Sequence, residues 1–137
     1  MPHFAPRPPL VLASSSAYRR QLLSKLGLPF SVASSAVDES RRPDESPMEL
    51  AQRLAESKAL ALAAAFPDHL IIGSDQVASV DDRLLGKPGN REANIAQLQF
   101  SAGKAVRFFT GLYVWNSRKQ RGLADMDTTT VYFRPLN

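Results

Sequence analysis

Apolar and polar positions along this chain alternate between the spacings of strands and of helices. The run "LVLA" (10–13) is short, continuous and apolar, consistent with a strand covered on both faces. A helix is expected from about residue 17 to 26, with Leu22, Leu23 and Leu26 on one side and Gly27 ending it. "FSVAS" (30–34) reads as a second strand, and a polar loop, "AVDESRRPDE", follows it. Ser46-Pro47-Met48-Glu49 then gives the clearest helix start: an N-cap serine, proline at the first helical position and glutamate at the third. That helix is expected to run to about Phe66, where Pro67 ends it. "HLIIGSD" (69–75) is a buried strand leaving on a glycine, and "QVASV" continues extended to a turn at "DDR". A third helix is expected over about 90–100. "AVRFFTGLYVWN" (105–116) and "DTTTVYFR" (127–134) alternate as antiparallel strands joined through the basic turn "RKQR" (118–121).

Strands alternating with helices and then a hairpin predict an α/β domain with a mixed sheet. The 137 residues suit one domain, 1–137, with no repeat, low-complexity segment or interdomain linker. Residues 1–8, with three prolines, read as an unpaired lead-in. Hydrophobic residues make up 44% and charged residues 22%, a globular balance. The net charge of +4 permits an anionic ligand without identifying one, because the charges are interspersed. A nucleic-acid module would need an aromatic-basic platform that the sequence does not contain. Cysteine is absent, which excludes disulfides, thiolate metal sites and a cysteine nucleophile. No apolar run is long enough for a signal-peptide core or a membrane span, so a cytoplasmic protein without a membrane partner is expected.

Three places put a polar or charged residue where packing alone would favour another kind. In "LVLASSSAYRRQLL" (10–23), serines stand at the start of the expected helix, where unpaired N–H groups could receive an anion and Arg19 could grip phosphate. Taken alone, a cap by Ser15 or Ser16 with both arginines in water is the better account of the pattern, because serine caps are common. Lys58 is the second place. Leu50, Ala51, Leu54, Ala55, Ala61, Leu62 and Ala65 define an apolar helix face, and Lys58 projects near its middle. Such a lysine either snorkels to water or points into a cleft where an anion compensates it. The third is "IIGSDQV" with "GKP" beyond it. Asp75 follows an apolar strand, where ligands bind in open α/β sheets, and it could hold a divalent cation or accept a proton from water. Lys87 sits in a turn set by Gly86 and Pro88, and the segment is not a P-loop. Glu39 lies in the polar loop; His3 and His69 lack metal-ligand spacing, and no Ser/His/Asp triad order is present. Together the cations Arg19, Arg20, Lys58 and Lys87 and the carboxylates Glu39 and Asp75 suit a polyphosphate with a divalent metal.

The stretches "LVLASSSAYRRQLLSKLG", "VDES", "ESPMELAQRLAESKA", "LIIGSDQV", "GKP" and "FFTGLYV" occur in the order found in the Maf-like nucleotide pyrophosphatases. The chain resembles that family from residue 9 onward. The resemblance implies a Maf/inosine-triphosphatase-like α/β fold, with a mixed central sheet flanked by helices and an active-site cleft. It also implies hydrolysis of a nucleoside triphosphate to the monophosphate and pyrophosphate, with Mg²⁺ or Mn²⁺ as cofactor. Ser14 and Arg19 match the opening phosphate-binding motif, Glu39 the acidic loop, Lys58 the long helix and Lys87 the "GKP" turn. Asp75 matches the proton acceptor, and Asp75 with Glu39 would face the metal. Arg20 matches no fixed motif position. Members resembling dTTP/UTP pyrophosphatases carry arginine and threonine where this chain has Tyr18 and Gln76, which look like the 7-methyl-GTP subgroup. An aromatic face can stack on a cationic methylated purine, and an amide can read a base edge. Ala17 stands where the family usually has proline. The family pattern continues beyond residue 137, so a truncated relative that binds nucleotides or regulates without hydrolysis is the rival expectation. A homodimer is implied by the family alone.

Overall fold

The computed structural model describes residues 8–34, 36–81, 83–85, 99, 101–132 and 134. Its elements are β1 (Leu10–Ala13), α1 (Ala17–Ser24), β2 (Phe30–Ala33), α2 (Pro47–Leu60), β3 (Leu70–Val80), β4 (Arg83–Leu85), β5 (Ala105–Asn116) and β6 (Arg121–Tyr132). They build one six-stranded sheet in the order β2-β1-β3-β5-β6, with β4 paired to β3 off that path. β1 is parallel to β2 and β3, whereas β4, β5 and β6 join by antiparallel pairing. The expected mixed α/β sheet is therefore present. The expected third helix and Lys87 fall almost wholly or wholly outside the described residues.

α2 packs across β3 and β5 and lays its buried side against them. Its start follows the sequence signal: Ser46 Oγ accepts from the Glu49 N–H at 3.1 Å, and the Glu49 carboxylate accepts from the Ser46 N–H at 3.2 Å. Leu50, Ala51, Leu54, Ala55 and Ala59 are buried along one side, joined by Leu62 beyond the helix end. The small side chains in that seam let the helix settle onto two glycines. A Cβ on Gly73 would meet the Ala55 carbonyl oxygen and come within 2.9 Å of Ala59 Cβ. A Cβ on Gly111 would lie 2.5 Å from the Ala51 carbonyl oxygen. Ile71, Asp75 and Val77 of β3 face the same side, by the two-residue alternation of a strand.

Four expectations are corrected. α2 ends at Leu60, not near Phe66, and the chain tightens there: the Leu62 N–H bonds to the Ala59 carbonyl and the Ala63 N–H to that of Leu60. With the helix ended, Ala61 and Ala65 turn to solvent, and Ala59 takes the buried place. β6 begins at Arg121, six residues before the alternation in the sequence suggested, because register with the long β5 extends the ladder to the turn at 117–120. α1 buries none of its residues: Leu22 is exposed, and so is Leu26 just beyond the helix end. The sheet face away from α2 also leaves Val32, Leu112 and Leu123 exposed.

Candidate active site

β1 and β3 run side by side only as far as Ala13 and Gly73. Beyond that level β3 continues as Ser74, Asp75, Gln76 and Val77, and β4 joins it again from Ala78. Over this interval β3 has no strand neighbour on its β1 side among the described residues, although β5 pairs along its other edge. This unpaired interval is a notch in the sheet at the carboxyl end of β1, the place where ligands bind in open α/β sheets.

Lys58 is the centre of charge in this notch. Its Nζ donates to Asp75 Oδ1 at 2.7 Å and lies 3.0 Å from Glu39 Oε1. The lysine side chain is 19% exposed and that of Asp75 13%, whereas that of Glu39 is 61% exposed. The mid-face position noted in the sequence thus resolves toward the cleft and not toward snorkelling. The reason is geometric: Ala55 and Ala59 bring α2 down on Gly73, so a lysine between them reaches the next buried side chain of β3. Burial by itself lowers the Lys58 pKa. Hydrogen bonds to Asp75 and then Glu39 more than offset that, holding it above the ordinary lysine value and charged throughout the neutral range.

Ser14 continues β1 into the notch and is buried. Its Oγ accepts the Ser16 N–H at 3.0 Å, and Ser16 Oγ caps α1 by accepting the Arg19 N–H at 3.3 Å. The capping interpretation of the serines therefore holds for Ser16. Arg19 is half-buried in the first turn, whereas Arg20 is exposed. Tyr18 is 68% exposed. Gln76 projects from the sheet face opposite Asp75, and its Nε2 donates to Thr110 Oγ1 at 3.1 Å across the β3–β5 ladder.

The structure thus joins Lys58, Asp75 and Glu39 directly and puts Ser14 at the edge of their notch. Tyr18 and Arg19 begin the helix beyond that edge. Thr110 was not singled out in the sequence, because only the register of β5 reveals that it faces Gln76. A second group escaped notice as well: Glu45, buried at the base of the acidic loop, is gripped by Arg53 of α2 at 2.7 Å. Its signal was present as a cation on the flank of α2 eight residues after a carboxylate, without any indication that the two meet.

Whether the residues suit a divalent cation can be read from the donor set. Asp75 and Glu39 each meet the Lys58 ammonium through one oxygen, Oδ1 and Oε1, so a cation beside the ammonium would be held by the second oxygen of each carboxylate. Mg²⁺ is commonly held by one or two carboxylates, with phosphate oxygens and water completing the shell, and this pair fits that pattern. No cluster of three or more His, Cys, Asp or Glu side chains occurs among the described residues.

Residues 9–137 match the family of Maf-like proteins. The chain is 52% identical over 130 residues to a 7-methyl-GTP pyrophosphatase of Pseudomonas syringae pv. syringae, covering 95% of this chain and 68% of that protein. It is 53% identical over 129 residues to a protein of the same name from Alcanivorax borkumensis, covering 94% of this chain and 66% of that one. Among solved structures, the Ham1 protein of Staphylococcus aureus superposes with a TM-score of 0.62 at 17% identity, covering 89% of this chain and 70% of that one. A HAM1 protein from Coxiella burnetii gives 0.56 at 13% identity, covering 89% of this chain and 71% of its own. These two likenesses establish the fold.

Proposed function

The chain belongs to the Maf-like protein family, and on that footing we propose that its notch hydrolyses a nucleoside triphosphate to the monophosphate and pyrophosphate. The carrying observation is the Lys58 ammonium bridging Asp75 and Glu39 at the unpaired stretch of β3. In this reading Asp75, kept ionised by Lys58, accepts a proton from water. The water oxygen bonds to one phosphorus of the α–β phosphoanhydride, the bond from that phosphorus to the bridging oxygen breaks, and the bridging oxygen leaves with the other product, so that monophosphate and pyrophosphate result. An ammonium has three donors, and two are occupied by the carboxylates, so a phosphate oxygen can take the third. Ser14 and Arg19, at the β1–α1 junction, would hold the phosphate chain, with Lys87 as a further cation. Asp75 and Glu39 would hold a divalent cation, Mg²⁺ or Mn²⁺, which neutralises charge on the phosphates when bound.

The preferred substrate we infer is 7-methyl-GTP, the compound named for the Pseudomonas and Alcanivorax relatives. Two features of the sheet support it. β1 to β2 and β2 to β3 step in opposite directions along the sheet, so right-handed crossovers put α1 on the face opposite α2. Tyr18 and Gln76 then belong to one side of the notch, and the charged trio to the other. A nucleotide lying across the β3 edge would present its phosphates to Lys58 and its base to Tyr18 and Gln76. With Nε2 of Gln76 engaged by Thr110, the amide oxygen remains as an acceptor for N–H donors of a guanine edge. The Tyr18 ring offers a face to the cationic methylated base. No helix among the described residues is long and apolar enough to cross a membrane. A free nucleotide substrate fits a cytoplasmic setting.

A panel of 7-methyl-GTP, GTP, dTTP, UTP and CTP, each with and without Mg²⁺ or Mn²⁺, tests this reading by pyrophosphate release. Metal-dependent release highest with 7-methyl-GTP is expected. A folded sample that releases none with any nucleotide would defeat it.

A further inference from the structure

We propose that the Glu45–Arg53 pair is a positioning clasp that holds Glu39 against Lys58, an inference that rests on the reading of the notch as a hydrolytic site. Glu39 projects from a loop and is mostly exposed, so its own packing does not fix it. What fixes the loop is Arg53, on α2 five residues before Lys58. Its Nε donates to Glu45 Oε2 at 2.7 Å and its Nη2 to Glu45 Oε1 at 3.1 Å. The same Nη2 donates to the carbonyl oxygen of Ser40 at 2.7 Å, and Ser40 is the residue after Glu39. Glu45 in turn accepts the Arg42 N–H at 3.0 Å, and its carbonyl accepts Arg41 Nε at 2.7 Å. On the other side of Glu39, Asp38 Oδ1 accepts the Ser40 N–H at 2.9 Å.

One guanidinium therefore ties both ends of the Ser40–Glu45 segment to the helix that carries Lys58. The planar fork is what permits it: a bidentate grip on the carboxylate leaves a donor for the carbonyl, which a lysine could not supply together. Arg53 touches none of the candidate reacting groups, so it acts through the backbone beside Glu39. A pair that served only to stabilise the loop would have the same bonds. The two roles part at their dependence on Glu39.

The test uses the full chain carrying Arg53→Met, Arg53→Lys, Glu39→Gln and the double variants, with kcat/KM measured on the nucleotide that the wild type hydrolyses best. Arg53→Met should lower kcat/KM about tenfold when Glu39 is present and less than about twofold in the Glu39→Gln background, with Arg53→Lys recovering part of the loss. Equal losses in both backgrounds would overturn the clasp. A second readout needs no turnover: the Lys58 15Nζ resonance should shift in Arg53→Met toward its position in Glu39→Gln. A folded Arg53→Met chain in which that resonance stays at the wild-type position would also overturn it, and Arg53→Lys takes its place if Arg53→Met does not fold. Absence of hydrolysis by the wild type would defeat the functional reading, and the resonance would still decide the clasp.

Discussion

Replacing Gly73 by alanine tests how the close seating of α2 creates the charged notch. The added methyl would be driven onto the Ala55 carbonyl oxygen and lie 2.9 Å from both Cβ and N of Ala59. All but one of these are backbone atoms of α2 and cannot rotate away. Ordinary contact between carbon atoms needs about 3.5–4.0 Å, so α2 must lift from β3 by roughly an ångström. Overpacking of this kind costs about 1–3 kcal/mol. For a domain of this size, that lowers Tm by roughly 4–12 °C. The same displacement opens the Lys58–Asp75 bond, now 2.7 Å, because Lys58 lies between the two residues that are pushed. Misplacement by an ångström can cost about a hundredfold in rate, so kcat should fall by about 10–100-fold even well below the new Tm. Calorimetry and pyrophosphate release on the same sample separate the two effects. An unchanged Tm would refute the packing argument. A lowered Tm with unaltered kcat would refute the link between the helix seat and the notch.

Further outcomes follow from the same geometry. Tyr18→Arg with Gln76→Thr should move nucleotide preference from 7-methyl-GTP toward dTTP or UTP; an unchanged ranking in the panel would contradict the base-side assignment. Thr110→Val removes the acceptor that fixes the Gln76 amide, and discrimination between 7-methyl-GTP and UTP should drop by about 3–10-fold, measured as a ratio of kcat/KM values. For Glu45, the Arg53 hydrogen bond outweighs the opposing effect of burial and, with the Arg42 N–H, holds the carboxyl at about 2 against an ordinary 4.5. The folded state therefore prefers the ionised form, whose contribution is complete above pH 4.5 and is lost as pH falls through about 2. Urea midpoints should fall less steeply between those pH values in Glu45→Gln than in the wild type, and parallel slopes would contradict the assignment.

Much of the fold was legible because local signals agreed with the tertiary outcome. Ser46, Pro47 and Glu49 mark the start of α2 at the residue where it begins, since a capping box is a local hydrogen-bond arrangement. Lys58 was legible as an anomaly, but whether it snorkels or turns inward depends on what lies opposite. That was decided by Gly73 and Asp75, fifteen and more residues away in sequence. The end of α2 and the start of β6 were misplaced for a related reason: alanine-rich helix ends and polar strand ends carry weak local preferences, and neighbouring elements settle them. The apolar residues of α1 suggested a packed helix, yet Leu22 and Leu26 are exposed. Glu45, Arg53 and Thr110 carried no legible role, because each acquires its partner only through loop closure or strand register.

The role assigned to Asp75 is tested most directly by Asp75→Asn, with turnover and nucleotide binding measured on one preparation. The amide retains the shape and can still accept from Lys58, but it cannot take a proton from water. Metal-dependent pyrophosphate release from 7-methyl-GTP should fall by about 10²-fold or more while the nucleotide Kd stays within about threefold of the wild type. Turnover retained at the wild-type rate by the folded variant would contradict that role.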